Sequence, residues 1–140
     1  MIICIHAGHN PDGKTACGAV GFGKESTLAR EVCAYLSDYL LRYEGIDAVA
    51  DVTCNDGKNA SDVLNRVVQR TNNIRPDLSV SIHLNASATP RANGSEVWCY
   101  PNNAMTIFLG EQICKELEKY GYINRGVKTS KSLFILRKIK

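Results

Sequence analysis

The chain opens with a short run of apolar, mainly β-branched residues, IICIH at 2–6, cut off by Gly8 and Pro11. That pattern predicts a strand. Residues 7–23 hold five of the eleven glycines and predict a long loop; long loops in compact domains usually carry function. From Lys24 the period becomes helical, with Leu28, Val32, Leu36, Tyr39 or Leu40, and Tyr43 as the apolar stripe and Gly45 as the stop. Residues 46–52 predict a second strand. A second helix follows, with Ser61 as its N-cap, Val63, Leu64, Val67, Val68, Thr71 and Ile74 on one face, and Pro76 just past its end. LSVSIHL at 78–84 reads as a third strand, the polar stretch 85–93 with Pro90 as a loop, and EVWCY at 96–100 as a fourth strand that places Trp98 in the core. Met105, Leu109, Ile113 and Leu117, with Phe108, mark a third helix ended by Gly121, and residues 133–136 read as a last strand-like run.

Strands alternating with helices predict an α/β fold: a largely parallel, open sheet with helices on both faces. The 140 residues fit a single domain, 1–140. Apolar residues make up 44% and charged residues 22%, which excludes a disordered chain. No apolar run approaches the ~18 residues of a membrane span. The net charge of +3 is too small to indicate a nucleic-acid partner. The opening residues MIICIHAGHN show neither a basic n-region nor an apolar h-region. No secretory signal is therefore expected, and the chain is expected to be made in the cytoplasm. Six cysteines would suit a disulfide framework in an oxidising compartment. However, Cys4 and Cys99 lie in strand-like runs and Cys33 and Cys114 at apolar helix positions, so buried free thiols are the better account.

The chemistry centres on three histidines, His6, His9 and His83. His9 lies just past the first strand and His83 at the end of the third. In open α/β sheets the working crevice lies at the carboxyl ends of the strands, so these two residues are expected at one edge. Glu25 opens the first helix and can point back over that edge. His9, Glu25 and His83 then make a two-histidine, one-carboxylate set of the kind that holds a catalytic zinc and leaves a position open. The competing account has His9 and His83 as structural strand-end residues and Glu25 as a solvated first-turn acid, favourably placed against the helix dipole. His6 shares a strand face with Ile2 and Cys4 and reads as a residue that supports the ligands rather than one of them. Asn85, two residues past His83, is a similar candidate for support or substrate binding.

Three segments carry a family resemblance: HAGHN at 6–10, GAVGFGKES at 18–26 and SIHLNAS at 81–87. They resemble the zinc-dependent N-acetylmuramoyl-L-alanine amidases of the amidase_3 type, found in sporulation proteins and clostridial phage endolysins. GSEV at 94–97, NRGVK at 124–128 and LFILR at 133–137 follow in the family's order. The resemblance implies zinc on His9, Glu25 and His83, peptidoglycan as substrate, and hydrolysis of the amide between N-acetylmuramic acid and L-alanine at the bacterial cell wall. It also implies a further strand after LFILR that ends in a glutamate acting as general base on the attacking water. The present sequence stops at Lys140, before that strand, so the base is expected to fall beyond it and residues 1–140 are expected to bind zinc with weak or no turnover. Glu96 matches a different family position. A sheet lacking its last strand would leave an open edge inviting self-association. A non-catalytic wall-binding module that keeps the zinc, a zinc peptidase with no sugar requirement, and a metal-free structural domain are the alternative readings.

Overall fold

The computed structural model describes residues 1–21, 23–87, 89 and 92–140. Phe22, within the GAVGFGKES segment, and Pro90, read as part of the polar loop, lie outside the described residues. The strands are β1 (Ile2–Ala7), β2 (Ala48–Asp51), β3 (Leu78–Ile82), β4 (Ser95–Cys99) and β5 (Asn124–Thr129); the helices are α1 (Glu25–Leu40), α2 (Ala60–Ile74), α3 (Ala104–Glu118) and α4 (Phe134–Lys138). They fall into two compact units, residues 1–86 with 139–140 and residues 87–138.

The first unit is a three-stranded parallel sheet in the order β2-β1-β3. Strand β1 is central and nearly all of it is buried. Its alternate residues Ile3, Ile5 and Ala7 form the core with Ala29 and Cys33 of α1, flanked by half-buried Leu36, Leu40, Val49, Leu78, Val80 and Ile82. The α1 stripe facing the sheet is therefore Ala29, Cys33, Leu36 and Leu40. The pattern-based stripe is met in part: Leu36 and Leu40 pack against the core, whereas Leu28, Val32, Tyr39 and Tyr43 are exposed. Small side chains at 29 and 33 let the helix lie close to the strands, and hydrophobicity alone cannot report that. Helix α2 buries Val63, Val67 and Thr71 as expected, although Ile74 is exposed. Its N-cap is Asn59, whose Oδ1 accepts the Asp62 N–H at 2.9 Å, and not Ser61. It ends at Arg75 in the left-handed conformation, one residue before Pro76.

The second unit pairs β4 and β5 in parallel, with α3 on one face. Gly110 of α3 sits where a Cβ would lie 3.0 Å from both Val97 and Val127, and Cys114 is buried on the same stripe. The predicted stripe is again offset, with Met105, Phe108 and Ile113 exposed. Two further expectations are corrected. Trp98 is not core: it faces away from Val97 and Cys99, is 43% exposed, and donates its indole N–H to Glu96 at 3.0 Å. The run at 133–136 is not a strand but the start of α4. Ser130 Oγ accepts the N–H groups of Ser132 and Leu133 at 3.1 and 3.2 Å, a turn that starts a helix. A four-residue apolar run does not by itself separate strand from helix. Five of the cysteines, Cys4, Cys33, Cys54, Cys99 and Cys114, are buried, and burial pushes the Cys33 thiol up to about 11. None of the helices is long and apolar enough to cross a membrane.

Candidate metal centre

The site is built in the first unit, at the carboxyl ends of β1 and β3. The Gly8 N–H continues the ladder to the Ile82 carbonyl at 2.9 Å, which brings the residues after both strands side by side. His9 follows in the left-handed region at φ 69°. Asn10, fully buried, then pins the loop: its Oδ1 accepts the Gly57 N–H at 3.0 Å, and its Nδ2 donates to the carbonyls of Thr15 and Gly57 at 2.8 and 2.7 Å. The loop returns through a bridge between Val20 and Lys24 into α1, whose first residue is Glu25.

His9, Glu25 and His83 converge. Each offers a ligand atom, and those atoms lie within 4.8 Å of one another. Glu25 Oε1 is 3.0 Å from His83 Nδ1 and 3.3 Å from His9 Nε2, and the two imidazoles meet edge to face with centroids 5.1 Å apart. Oε1 also accepts the Leu84 N–H at 3.2 Å, and Oε2 accepts the Ala19 N–H at 2.9 Å. Burial raises the Glu25 pKa. The Ala19 N–H, the His83 ring, the His9 charge and the Leu84 N–H outweigh it, so the carboxyl is held below its usual range. Glu25 is 8% exposed, whereas His9 and His83 are 33% and 45% exposed, leaving one side of the cluster open.

This donor set fits zinc. Two neutral imidazoles and one carboxylate supply a single negative charge, leaving a divalent ion with a net +1 and room for a further ligand. The walls are cut to the ligands by missing side chains. A Cβ on Gly8 would overlap Cε1 of His83 and lie 2.5 Å from its Nδ1; one on Gly18 would lie 2.7 Å from Glu25 Oε2 and from His9 Cδ2. Gly18 also has φ +81°. Both glycines fall in the quoted segments HAGHN and GAVGFGKES, but the close approach that requires them is seen only in the structure.

The other candidates are not among the three converging groups. His6 is 2% exposed on β1, opposite Ser81 in register, with its Nδ1 3.5 Å from Ser81 Oγ and its Nε2 without a hydrogen-bond partner. Burial, helped by the charge of His83, pushes its pKa down to about 4. Asn85 is exposed, two residues beyond His83. Glu96 is in the second unit, where its Oε2 pairs with Arg125 at 2.9 Å and Lys128 at 2.6 Å. Hydrogen bonds from Lys128 and Trp98 hold that carboxyl below its usual range, which makes it a structural anion rather than a base.

The sequence profile of Amidase_3, N-acetylmuramoyl-L-alanine amidase, matches residues 3–140. The chain belongs to this family. Among solved structures, the catalytic domain of the CD27L endolysin, which targets Clostridia difficile, is 30% identical, with a TM-score of 0.89 over 100% of this chain and 76% of that one. The CwlD amidase from Clostridioides difficile, solved with the GerS lipoprotein, superposes with a TM-score of 0.79 at 18% identity, over 99% of this chain and 77% of that one. The catalytic domain of the amidase CwlV from Bacillus (Paenibacillus) polymyxa var. colistinus gives 0.75 at 21% identity, over 99% and 74%. These last two likenesses establish the shared Amidase_3 fold. No curated protein sequence matches the chain.

Proposed function

We propose that this chain hydrolyses the amide joining the lactyl group of N-acetylmuramic acid to L-alanine in peptidoglycan, with zinc held by His9, Glu25 and His83. The observation that carries the reading is the convergence of those three residues at the carboxyl ends of parallel strands, in a chain of the Amidase_3 family. Zinc held there supplies a Lewis acid that polarises the amide carbonyl and lowers the pKa of a water, in favourable sites to ~7. The chain's own residues prepare that site. Glu25 is kept ionised, and both its oxygens are committed, Oε1 to the imidazoles and Leu84, Oε2 to Ala19. An ionised carboxylate facing both ring nitrogens suits the role of ligand. The likeness to an endolysin catalytic domain at 30% identity favours a wall substrate over a plain peptide.

The test couples metal analysis to product chemistry. The purified chain is expected to carry about one zinc, lost in Glu25→Gln and His83→Ala, because a three-ligand site does not survive the loss of one donor. Digestion of labelled peptidoglycan is expected to release new L-alanine amino termini, weakly or not at all with residues 1–140 and readily with a chain extended past Lys140. Products with new reducing sugar ends, or with termini elsewhere in the stem peptide, would overturn the proposed reaction. Wall binding with no new termini even from a chain extended past Lys140 would favour a non-catalytic module.

A further inference from the structure

His9 has to be held in place by something other than its own preference. His9 is a non-glycine residue in the left-handed region, a conformation that persists only where the surroundings impose it. Its ring meets Glu25 and His83 but stays one-third exposed, and its backbone is held as well. The carbonyl of His9 accepts a hydrogen bond from Arg30 Nη2 at 2.9 Å. Arg30 lies on α1, five residues after Glu25.

The rest of that guanidinium is spent in the same way. Nη1 donates to the carbonyl of Ser26, the residue after Glu25, at 2.8 Å. Nη2 also reaches the carbonyl of Cys54 at 3.1 Å and Asn55 Oδ1 at 2.9 Å, and Nε reaches Asn55 Oδ1 at 3.3 Å. Every one of these acceptors is a neutral oxygen. A half-buried cation that binds carbonyls instead of a carboxylate fixes backbone positions. This planar fork joins the loop carrying His9, the first turn carrying Glu25 and the loop after β2.

We propose that Arg30 is a positioning residue of the metal site: it sets the backbone of His9 against the first turn of α1, and so fixes the spacing of two ligands without touching the ion. The inference rests on the zinc reading above. A lysine keeps the charge but has one nitrogen where this geometry uses three.

The test measures zinc affinity by competition with a chromophoric chelator, the visible spectrum of the cobalt-loaded protein, and thermal unfolding of the metal-free protein. It covers the wild type, Arg30→Met, Arg30→Lys and Asn55→Ala. Arg30→Met is expected to bind zinc 10–100-fold more weakly, the usual cost of losing an outer-shell partner, with altered cobalt bands. Arg30→Lys is expected to fall between Arg30→Met and the wild type. Asn55→Ala, which removes one anchor of the fork, is expected to weaken zinc in the same direction. A purely structural arginine would lower the melting temperature and leave affinity and spectrum unchanged, and that result overturns the proposal. If Arg30→Met does not fold, zinc affinity within twofold of wild type in both Arg30→Lys and Asn55→Ala overturns it. A wild-type chain that binds no zinc overturns the metal reading and this inference together; unaffected variants of a zinc-binding wild type overturn this inference alone.

Discussion

His6 makes the metal-free fold sensitive to acid. It is buried on the central strand, and its pKa falls to about 4, first through burial and then through the charge of His83. The sign follows from linkage. The folded state holds His6 neutral, while the unfolded chain takes up a proton below the ordinary value near 6.5. The stability due to the neutral ring is therefore fully present above about 6.5 and is lost as the pH falls toward about 4. Each pH unit in that window removes about 1.4 kcal/mol, so the whole window of about 2.5 units removes about 3 kcal/mol. That is a large part of the 5–15 kcal/mol typical of a domain. His6→Phe has a similar ring, does not titrate and leaves no unpartnered nitrogen. The assay is urea unfolding of both proteins in chelator between pH 7.5 and 4.5. The wild type is expected to lose stability relative to His6→Phe by about 1.4 kcal/mol per pH unit below 6.5. Parallel pH profiles for the two proteins would refute the reasoning, because they would mean that His6 takes up its proton equally in both states.

Gly8→Ala is expected to push His83 out of place and weaken zinc by at least ~10-fold, read by chelator competition, because the new methyl overlaps the imidazole. Gly18→Ala is expected to lose zinc similarly and to destabilise the metal-free fold by about 1–3 kcal/mol, since a positive φ and a 2.7 Å approach to Glu25 act together; unchanged unfolding would contradict this. Asn59→Ala is expected to cost about 1 kcal/mol in chemical unfolding and Ser61→Ala close to nothing, which separates the cap observed from the one the sequence suggests.

The sequence already contains the order of the elements. Strand β1 is legible as a β-branched run, α2 as a periodic face ending near Pro76, and β3 as an alternating run, and their alternation implies parallel pairing. It also contains the candidate site, because a histidine at the end of each of two parallel strands has one edge to share. What the pattern misplaces is the centre of the contact stripes of α1 and α3, although Leu36 and Leu40 do pack on the core. Both helices approach their strands through small residues, Ala29 and Cys33 in one and Gly110 and Cys114 in the other, while larger apolar side chains stay at the surface. A hydrophobicity pattern weighs side chains by size and polarity, and close packing selects those that fit. β5 was not legible as a strand, since its residues alternate too weakly, and α4 depends on a serine turn rather than on its apolar run.

Residue identity determines that this chain has two imidazoles and a carboxylate to offer. Only the tertiary structure decides that they meet. The left-handed turn at His9, the carbonyls gathered by Arg30, and the space left by Gly8 and Gly18 involve segments up to 75 residues apart in the chain. Local sequence sets the conformational preference of each segment, but whether the three groups converge is decided by how the residues after β1 and β3 and the first turn of α1 pack together.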